Sequence, residues 1–179
     1  MTENTAVVSI IAEKLKARRE TFCTAESCTG GQIAKTVTDV PGVSAVFPGG
    51  VVSYANEIKE KLLCVNHKTL ADFGAVSEQT AREMALGAIN ALGADYSVAV
   101  TGIAGPDGGS LDQPVGLVYI ALACASGTEV HELRLSGGRE RIRTRATLHA
   151  LDLLRRALSG LPTTEKAAKP AGSSGATNA

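Results

Sequence analysis

The stretch TFCTAESCTGGQIAKTVTD, residues 21–39, decides the fold of this chain. Its first part, TFCTAES, predicts a short buried strand that runs into the glycine pair Gly30-Gly31. The second part predicts a helix that stops at Pro41-Gly42. A strand, a glycine turn and a helix in this order are typical of α/β folds, in which ligands bind beyond the carboxyl ends of the strands.

Further helices and strands are predicted on both sides of this unit. Helical periodicity appears in residues 5–18 and again between Ser77, a predicted N-cap, and Gly93. The remaining predicted elements are a helix over 56–63, a helix over 139–158, and strands over 46–54, 96–102, 115–125 and 129–136. This order predicts a three-layer α/β/α domain with a mixed, mostly parallel sheet of about five strands.

Composition limits the classes of partner. The chain has 179 residues, of which 44% are hydrophobic, so one compact domain over residues 1–161 is expected. Residues 162–179 are rich in Pro, Gly, Ser and Ala and predict a disordered tail. Eighteen basic residues balance eighteen acidic ones and Trp is absent, which argues against nucleic-acid binding. No apolar run approaches the roughly 20 residues of a membrane span, so a cytoplasmic protein is expected.

The four cysteines do not pair in any metal-like or disulfide-like pattern. None belongs to a CxxC motif, and their spacing to the three histidines does not match a zinc site. We therefore expect free thiols, with no structural metal and no disulfide.

Lys59 is the most unusual polar residue in the predicted helices. On the helix NEIKEKLL it shares a sector with Ile58, Leu62 and Leu63. Desolvation on an apolar face lowers the pKa of a lysine, and a neutral lysine can act as a general base. The alternative is that the stem of Lys59 packs on the core while its ammonium group reaches solvent.

Tyr54 and Ser27 supply partners for this base. Tyr54 ends the strand before the helix, where its hydroxyl could meet both the Lys59 amine and a substrate. Ser27 is then a credible nucleophile, and the backbone N–H groups of the CTGG turn, Cys28 to Gly31, could hold an oxyanion. Cys28 is the rival nucleophile, but no histidine falls in a loop predicted to reach it.

Five sequence blocks together resemble the CinA C-terminal domain family, whose stand-alone members include nicotinamide-nucleotide deamidases. The resemblance covers about residues 5–158 and rests on TAESCTGG, GGVVSYANEIKEKLL, GAVSEQTAREMA, VAVTGIAGPDGG with PVGLVYIA, and RERIRTRATLHALDLL. It implies a Ser–Tyr–Lys catalytic set on Ser27, Tyr54 and Lys59, a three-layer fold and self-association as a dimer or larger homo-oligomer. It also implies hydrolysis of nicotinamide mononucleotide (NMN) to nicotinic acid mononucleotide and ammonia, without a metal or cofactor.

Such a substrate brings a phosphate, for which two regions are candidates. The loop TGIAGPDGG, with Thr101, Gly102 and Gly105, offers backbone N–H groups, although a plain long turn explains it equally well. On the last helix, Arg139 and Arg143 share the sector of the apolar residues. They could bind either the phosphate or carboxylates of a neighbouring subunit.

Three positions depart from the usual pattern of the resembling family. They are Gln113, where Lys is common, Gly138, where Asp is common, and Cys64, where Gly is common. None removes a catalytic side chain, but the first two delete a charge near a loop. Two alternatives to the NMN deamidase remain: a non-catalytic nucleotide-binding or subunit-interaction module, and hydrolysis of another amide or lactam.

Overall fold

The structure, a computed structural model, describes residues 3–163. The helices are α1 (Glu3–Arg18), α2 (Gln32–Thr38), α3 (Asn56–Leu63), α4 (His67–Phe73), α5 (Glu78–Leu92) and α6 (Arg139–Leu158). The strands are β1 (Phe22–Glu26), β2 (Gly49–Val52), β3 (Tyr96–Gly102), β4 (Leu117–Cys124) and β5 (Gly127–Arg134). Every predicted helix and strand is present.

The strands form one mixed sheet in the order β2-β1-β3-β4-β5. Strand β1 pairs in parallel with both β2 and β3, whereas β4 pairs antiparallel with β3 and β5. Four of the five strands in residues 3–163 therefore point the same way, which confirms the predicted mixed, mostly parallel sheet. The carboxyl ends of β1, β2 and β3 lie together at one edge.

Side-chain size differs between the two faces of the sheet. One face presents large residues such as Phe22, Val100 and Ile120 to the layer formed by α1, α2 and α6. The other presents Ala25, Ala99 and other small residues to α5. Helix α5 packs directly on this face, and α3 and α4 pack on α5, which completes three layers.

Helix α5 begins and ends as predicted. The Ser77 hydroxyl accepts a hydrogen bond from Thr80 N at 3.2 Å, which makes it the N-cap, and Gly93 closes the helix with φ of 63°. Within the helix, Gly87 lies against α3. A Cβ added there would meet the Leu63 carbonyl oxygen at 1.8 Å, so only glycine permits this close crossing.

Helix α4 and a 3-10 turn over Val43–Ala45 were not predicted. The available signal for α4 was Asn66, whose side chain caps the helix by accepting a hydrogen bond from Lys68 N. Of the segment predicted to be disordered, the structure describes Pro162 and Thr163. Pro162 O accepts a hydrogen bond from Arg156, and the Thr163 hydroxyl donates one to Glu129. The rest of the predicted tail, 164–179, lies outside the described residues.

Across the described range 3–163, none of the helices has the length and apolar character needed to cross a membrane.

Candidate active site

Ser27 lies directly after β1, at the sheet edge where three parallel strands end. Its backbone N–H donates to Val100 O of β3 at 2.9 Å, while Ser53 N, beyond β2, donates to Glu26 O at 2.8 Å. The residue is thus held by main-chain bonds that extend the sheet on both sides. The Ser27 side chain is buried at 8% exposure.

Lys59 reaches Ser27 from the first turns of α3. Its Nζ lies 3.2 Å from Ser27 Oγ and donates to the carbonyl oxygens of Ser53, at 2.8 Å, and Tyr54, at 3.3 Å. Lys59 is only 1% exposed, so its amine does not reach solvent and the alternative of a solvated ammonium group is excluded. The helical-wheel prediction fails for Leu62, which is 45% exposed.

Burial favours the neutral form of the Lys59 amine. Desolvation lowers the pKa of Lys59, against smaller opposing effects of Cys28 and Glu57. In the described chain the three groups that contact Nζ are neutral oxygens rather than carboxylates.

Hydrogen-bond chemistry orients the neutral amine towards Ser27. Carbonyl oxygens only accept, so the two N–H groups of neutral Lys59 point to Ser53 O and Tyr54 O. When the amine is neutral, the nitrogen lone pair is left to accept the proton of Ser27 Oγ, 3.2 Å away; when the amine is protonated, Nζ donates to that oxygen. This is the arrangement that a general base needs beside a serine nucleophile.

Glu26 is a functional candidate that the sequence reasoning did not place in the site. It is fully buried, and its carboxylate accepts hydrogen bonds from Gly31 N (3.0 Å), Ile33 N (3.0 Å) and Ala34 N (2.8 Å). It therefore caps the amino terminus of α2. The signal that could have found it is a carboxylate placed just before a glycine turn and a helix.

This cap corrects part of the predicted oxyanion hole. Gly31 N is occupied by Glu26, and Gly30 N donates to Ser27 O at 3.0 Å, so neither amide is free for a ligand. The N–H groups of Cys28 and Thr29 are the two in this turn that donate to no carbonyl or carboxylate within residues 3–163. These two amides remain the candidate oxyanion donors.

Cys28 has the properties of a packed thiol. It is 6% exposed, and burial raises the pKa of its thiol to about 11, despite the positive charges of Arg143 and Arg139 nearby. A thiol with this pKa is protonated near neutral pH and is a poor nucleophile. Ser27, next to an amine whose pKa is lowered by burial, is the better candidate.

Tyr54 occupies a different place from the one predicted. It meets Lys59 through its carbonyl oxygen, whereas its side chain is 63% exposed and its hydroxyl accepts a hydrogen bond from Arg139 Nη2 at 3.3 Å. Because arginine can only donate, the hydroxyl proton of Tyr54 is left free to be donated outwards. The predicted contact of the hydroxyl with the Lys59 amine is therefore corrected to a contact with Arg139.

Arg139 and Arg143, which were predicted to lie on the apolar sector of α6, both face this site. Arg139 also donates to Gly105 O at 2.9 Å. This bond links the exposed rim of the site, formed by Tyr54 and Arg139, to the loop after β3. Arg143 is half-buried, and its Nη2 donates to Thr29 O at 2.6 Å. Arg143 therefore holds the turn that follows Ser27, while Arg139 is exposed at the entrance.

The end of β3 and the loop that follows it are held by contacts with neighbouring segments. The Thr101 hydroxyl donates to Ala75 O at 2.7 Å, and a Cβ on Gly102 would meet Leu117 O at 2.7 Å. These two residues thus have clear packing roles. Gly105, with φ of 72°, presents its carbonyl oxygen to Arg139.

The three departures from the family pattern have local explanations. Gln113 Nε2 donates to Val76 O at 3.0 Å, which anchors the long loop without a charge. Gly138 is the N-cap of α6 and has no side chain to cap it. Cys64 adopts φ of 53° at the end of α3, a left-handed conformation in which glycine is favoured.

The four cysteines are free thiols, of which Cys64 is exposed. Among residues 3–163, no three His, Cys, Asp or Glu side chains cluster in a way that could hold a metal ion.

Known proteins resemble this chain in sequence and in fold. The chain matches the CinA C-terminal domain over residues 4–158. It belongs to this family. It is 50% identical over 157 residues to a CinA-like protein of Desulfovibrio desulfuricans and 54% identical over 157 residues to a CinA-like protein of Geobacter sulfurreducens, with 86% and 88% of this chain covered. The chain spans only 37% of the length of each of these relatives.

Solved structures of CinA proteins have the same fold and nearly the same length. The competence/damage inducible protein CihA of Agrobacterium tumefaciens is 43% identical with a TM-score of 0.85, covering 89% of this chain and 97% of that one. A CinA superfamily protein of Escherichia coli is 31% identical with a TM-score of 0.79, covering 87% and 92%. The resemblance to the CinA C-terminal domain family is thus confirmed, together with the three-layer fold.

Proposed function

We propose that this CinA-family chain is an amidohydrolase that converts NMN and water to nicotinic acid mononucleotide and ammonia. The observation that carries the proposal is the buried contact of 3.2 Å between Lys59 Nζ and Ser27 Oγ. Serine and a neutral lysine form a nucleophile–base pair that cleaves amide bonds without a histidine. The resemblance to stand-alone deamidases supplies the substrate.

In the first half of the reaction, Ser27 Oγ attacks the carboxamide carbon and its proton passes to Lys59 Nζ. Negative charge develops on the carboxamide oxygen, where the N–H groups of Cys28 and Thr29 can stabilise it. The C–N bond then breaks, and the nitrogen leaves as ammonia after taking a proton either directly from the Lys59 ammonium or from the Tyr54 hydroxyl. In the second case the Lys59 proton passes on to the Tyr54 phenolate, so Lys59 returns to the neutral amine by either route. The nicotinoyl group stays on Ser27 as an ester.

In the second half, water replaces ammonia. Lys59, neutral again, takes a proton from the water as its oxygen attacks the ester carbon. The ester bond breaks, Ser27 Oγ recovers its proton, and nicotinic acid mononucleotide leaves as the carboxylate. The exposed guanidinium of Arg139 is the group that we assign to the phosphate of the nucleotide, with the loop at Gly105 beside it.

The test is incubation of the purified chain with NMN in the absence of added metal, with separate detection of ammonia and nicotinic acid mononucleotide. Ser27→Ala, purified identically, is the control for a contaminating amidase. We expect equal amounts of both products from the wild-type chain and none above background from the variant. Equal product from both proteins would overturn the proposal, and inhibition by EDTA would contradict the metal-free reaction.

A second candidate is a non-catalytic nucleotide-binding or subunit-interaction module. It is favoured by the finding that the chain spans 37% of the length of the two CinA-like proteins of Desulfovibrio desulfuricans and Geobacter sulfurreducens, so this domain also occurs within longer proteins. Binding of NMN with no turnover would support this second function. Turnover of other carboxamides or lactams in preference to NMN would keep the chemistry and change the substrate.

A further inference from the structure

Glu26 has a buried side-chain carboxyl group that the proposed mechanism does not use. The residue is 0% exposed, and no lysine, arginine or histidine within residues 3–163 forms an ion pair with it. Its stabilisation comes instead from the three amide N–H groups of Gly31, Ile33 and Ala34 and from the positive end of the α2 dipole. A fully buried carboxylate in this setting is costly to keep without a specific role.

The same residue fixes the position of Ser27 from two directions. Its carbonyl oxygen accepts from Ser53 N at 2.8 Å, which joins β1 to the segment that supplies a carbonyl to Lys59. Its carboxylate holds the start of α2, five residues further along the chain. Glu26 therefore holds both ends of the turn, the end of β1 and the start of α2. The turn between them contains Ser27, Cys28 and Thr29.

The carboxylate also decides which amides can bind an anion. The amino terminus of a helix is a general anion site, and here Glu26 fills it. A substrate oxyanion is thereby directed away from α2 and towards the remaining N–H groups of Cys28 and Thr29. Arg143 holds the same turn from the other side through Thr29 O.

We infer that Glu26 is a positioning residue for the oxyanion turn, acting through the N–H groups of Cys28 and Thr29 and the placement of Ser27 Oγ. The inference rests on the proposed amidohydrolase function. A purely structural cap is the competing explanation. It predicts a lower free energy of unfolding and less folded protein, but an unchanged turnover rate for each folded molecule.

The test compares Glu26→Gln with Ser77→Ala. Glu26→Gln keeps the shape and one acceptor oxygen but loses the charge and places an NH₂ group against backbone N–H groups. Ser77→Ala removes a helix cap from α5, away from the site, and is the matched control for lost stability. Active sites are counted with a fluorophosphonate that labels serine nucleophiles, and both NMN turnover and the labelling rate are measured.

For Glu26→Gln we expect kcat per labelled site to fall about 10- to 100-fold, since a displacement of about 1 Å can cost 10²-fold, with KM changed less than about threefold. The labelling rate should fall in parallel, because attack on phosphorus also develops charge on an oxygen. Ser77→Ala should keep the wild-type kcat and labelling rate. Wild-type values of both for Glu26→Gln would overturn the inference.

The two proposals fail separately. If the wild-type chain is labelled rapidly but does not hydrolyse NMN, and Glu26→Gln is labelled slowly, the substrate proposal falls and the role of Glu26 stands. If Glu26→Gln does not fold, Glu26→Asp carries the test, because it keeps the charge but withdraws the carboxylate from α2 by one methylene group. An Asp variant with wild-type labelling and turnover would also overturn the inference.

Discussion

The inner and outer parts of the candidate site are built in different ways. The inner part comprises Glu26, Ser27 and Lys59, which are at most 8% exposed and are held by hydrogen bonds to backbone groups. The outer part comprises Tyr54 and Arg139, which are exposed and meet through one hydrogen bond of 3.3 Å between long side chains. The inner geometry is therefore set before a substrate arrives, whereas the outer geometry can adjust to it.

This difference assigns different tasks to the two parts. Buried groups act in a medium of low dielectric constant, where a proton transfer and an oxyanion contact have their largest effects. An exposed bond between a phenol and a guanidinium is weakened by water and can be exchanged for bonds to a ligand. Changes to the inner part should lower kcat, and changes to the rim should alter KM as well.

The largest effect is expected from Ser27→Ala and Lys59→Ala. Each should lower kcat by about 10⁴- to 10⁶-fold, and the double variant should lose little more, because nucleophile and base act as one unit. Cys28→Ala is the neighbouring control and should keep kcat within a few-fold. A Cys28→Ala enzyme without activity, beside an active Ser27→Ala enzyme, would transfer the nucleophile to the thiol.

Tyr54→Phe tests the rim. Loss of the phenolic proton should lower kcat by about 10²- to 10⁴-fold if Tyr54 protonates the leaving ammonia. Arg139→Lys keeps the charge but replaces the forked guanidinium, whose Nη1 and Nη2 donate to Gly105 O and the Tyr54 hydroxyl, with a single ammonium nitrogen, so we expect a smaller loss of kcat and a higher KM. A double-mutant cycle measures the coupling, and fully additive effects would contradict the hydrogen bond as the link between them.

Gly87→Ala tests whether the inner part depends on helix packing. The added Cβ meets the backbone of Leu63, so α3 must shift, at a cost of about 1–3 kcal/mol of unfolding free energy. Because Lys59 lies on α3, kcat should also fall. Leu86→Ala, at an exposed neighbouring position, should leave both quantities nearly unchanged in denaturant unfolding and turnover assays. A fully active Gly87→Ala enzyme would show that the Lys59–Ser27 contact tolerates movement of α3.

The pH dependence of stability gives the smallest effect. The pKa of folded Lys59 is below the value of 10.5 for an unperturbed lysine, so between these two values the unfolded state binds more protons and Lys59 makes stability rise with pH. Lys59→Met should reduce this slope by up to about 1.4 kcal/mol per pH unit. Catalytic rate should rise with pH as Lys59 loses its proton. Urea unfolding of the wild-type chain and of Lys59→Met across alkaline pH checks the prediction. Identical slopes of unfolding free energy against pH would contradict a lowered pKa of Lys59.

Raised pKa values elsewhere make the comparison with Lys59→Met necessary. Burial raises the pKa values of Tyr96 and Tyr119, and those of the Cys23 and Cys28 thiols to about 11. These groups stay protonated to a higher pH in the folded state than in the unfolded state. They therefore make the free energy of unfolding fall as pH rises above their pKa values in the unfolded chain. Only the difference between the wild-type chain and Lys59→Met, in the slope of unfolding free energy against pH, isolates the contribution of Lys59.

Local sequence determined the elements and the identity of the candidate chemistry. Hydrophobic period, the Ser77 cap and glycine stops specify helices and strands because these signals act within a few residues. The apolar sector of NEIKEKLL likewise placed Lys59 among apolar residues, but it left open whether the amine is buried, and it misplaced Leu62. The family resemblance rests on the same local blocks of sequence.

Only the tertiary structure decided how these groups meet. The partners of Lys59, the rim contact of Tyr54 with Arg139, and the capture of the α2 amino terminus by Glu26 each depend on directions of side chains from different elements. Sequence period gives the face on which a residue lies but not which of several hydrogen-bond acceptors it reaches. That choice is made by packing, because a buried polar group must take the partners that the surrounding backbone leaves within about 3 Å.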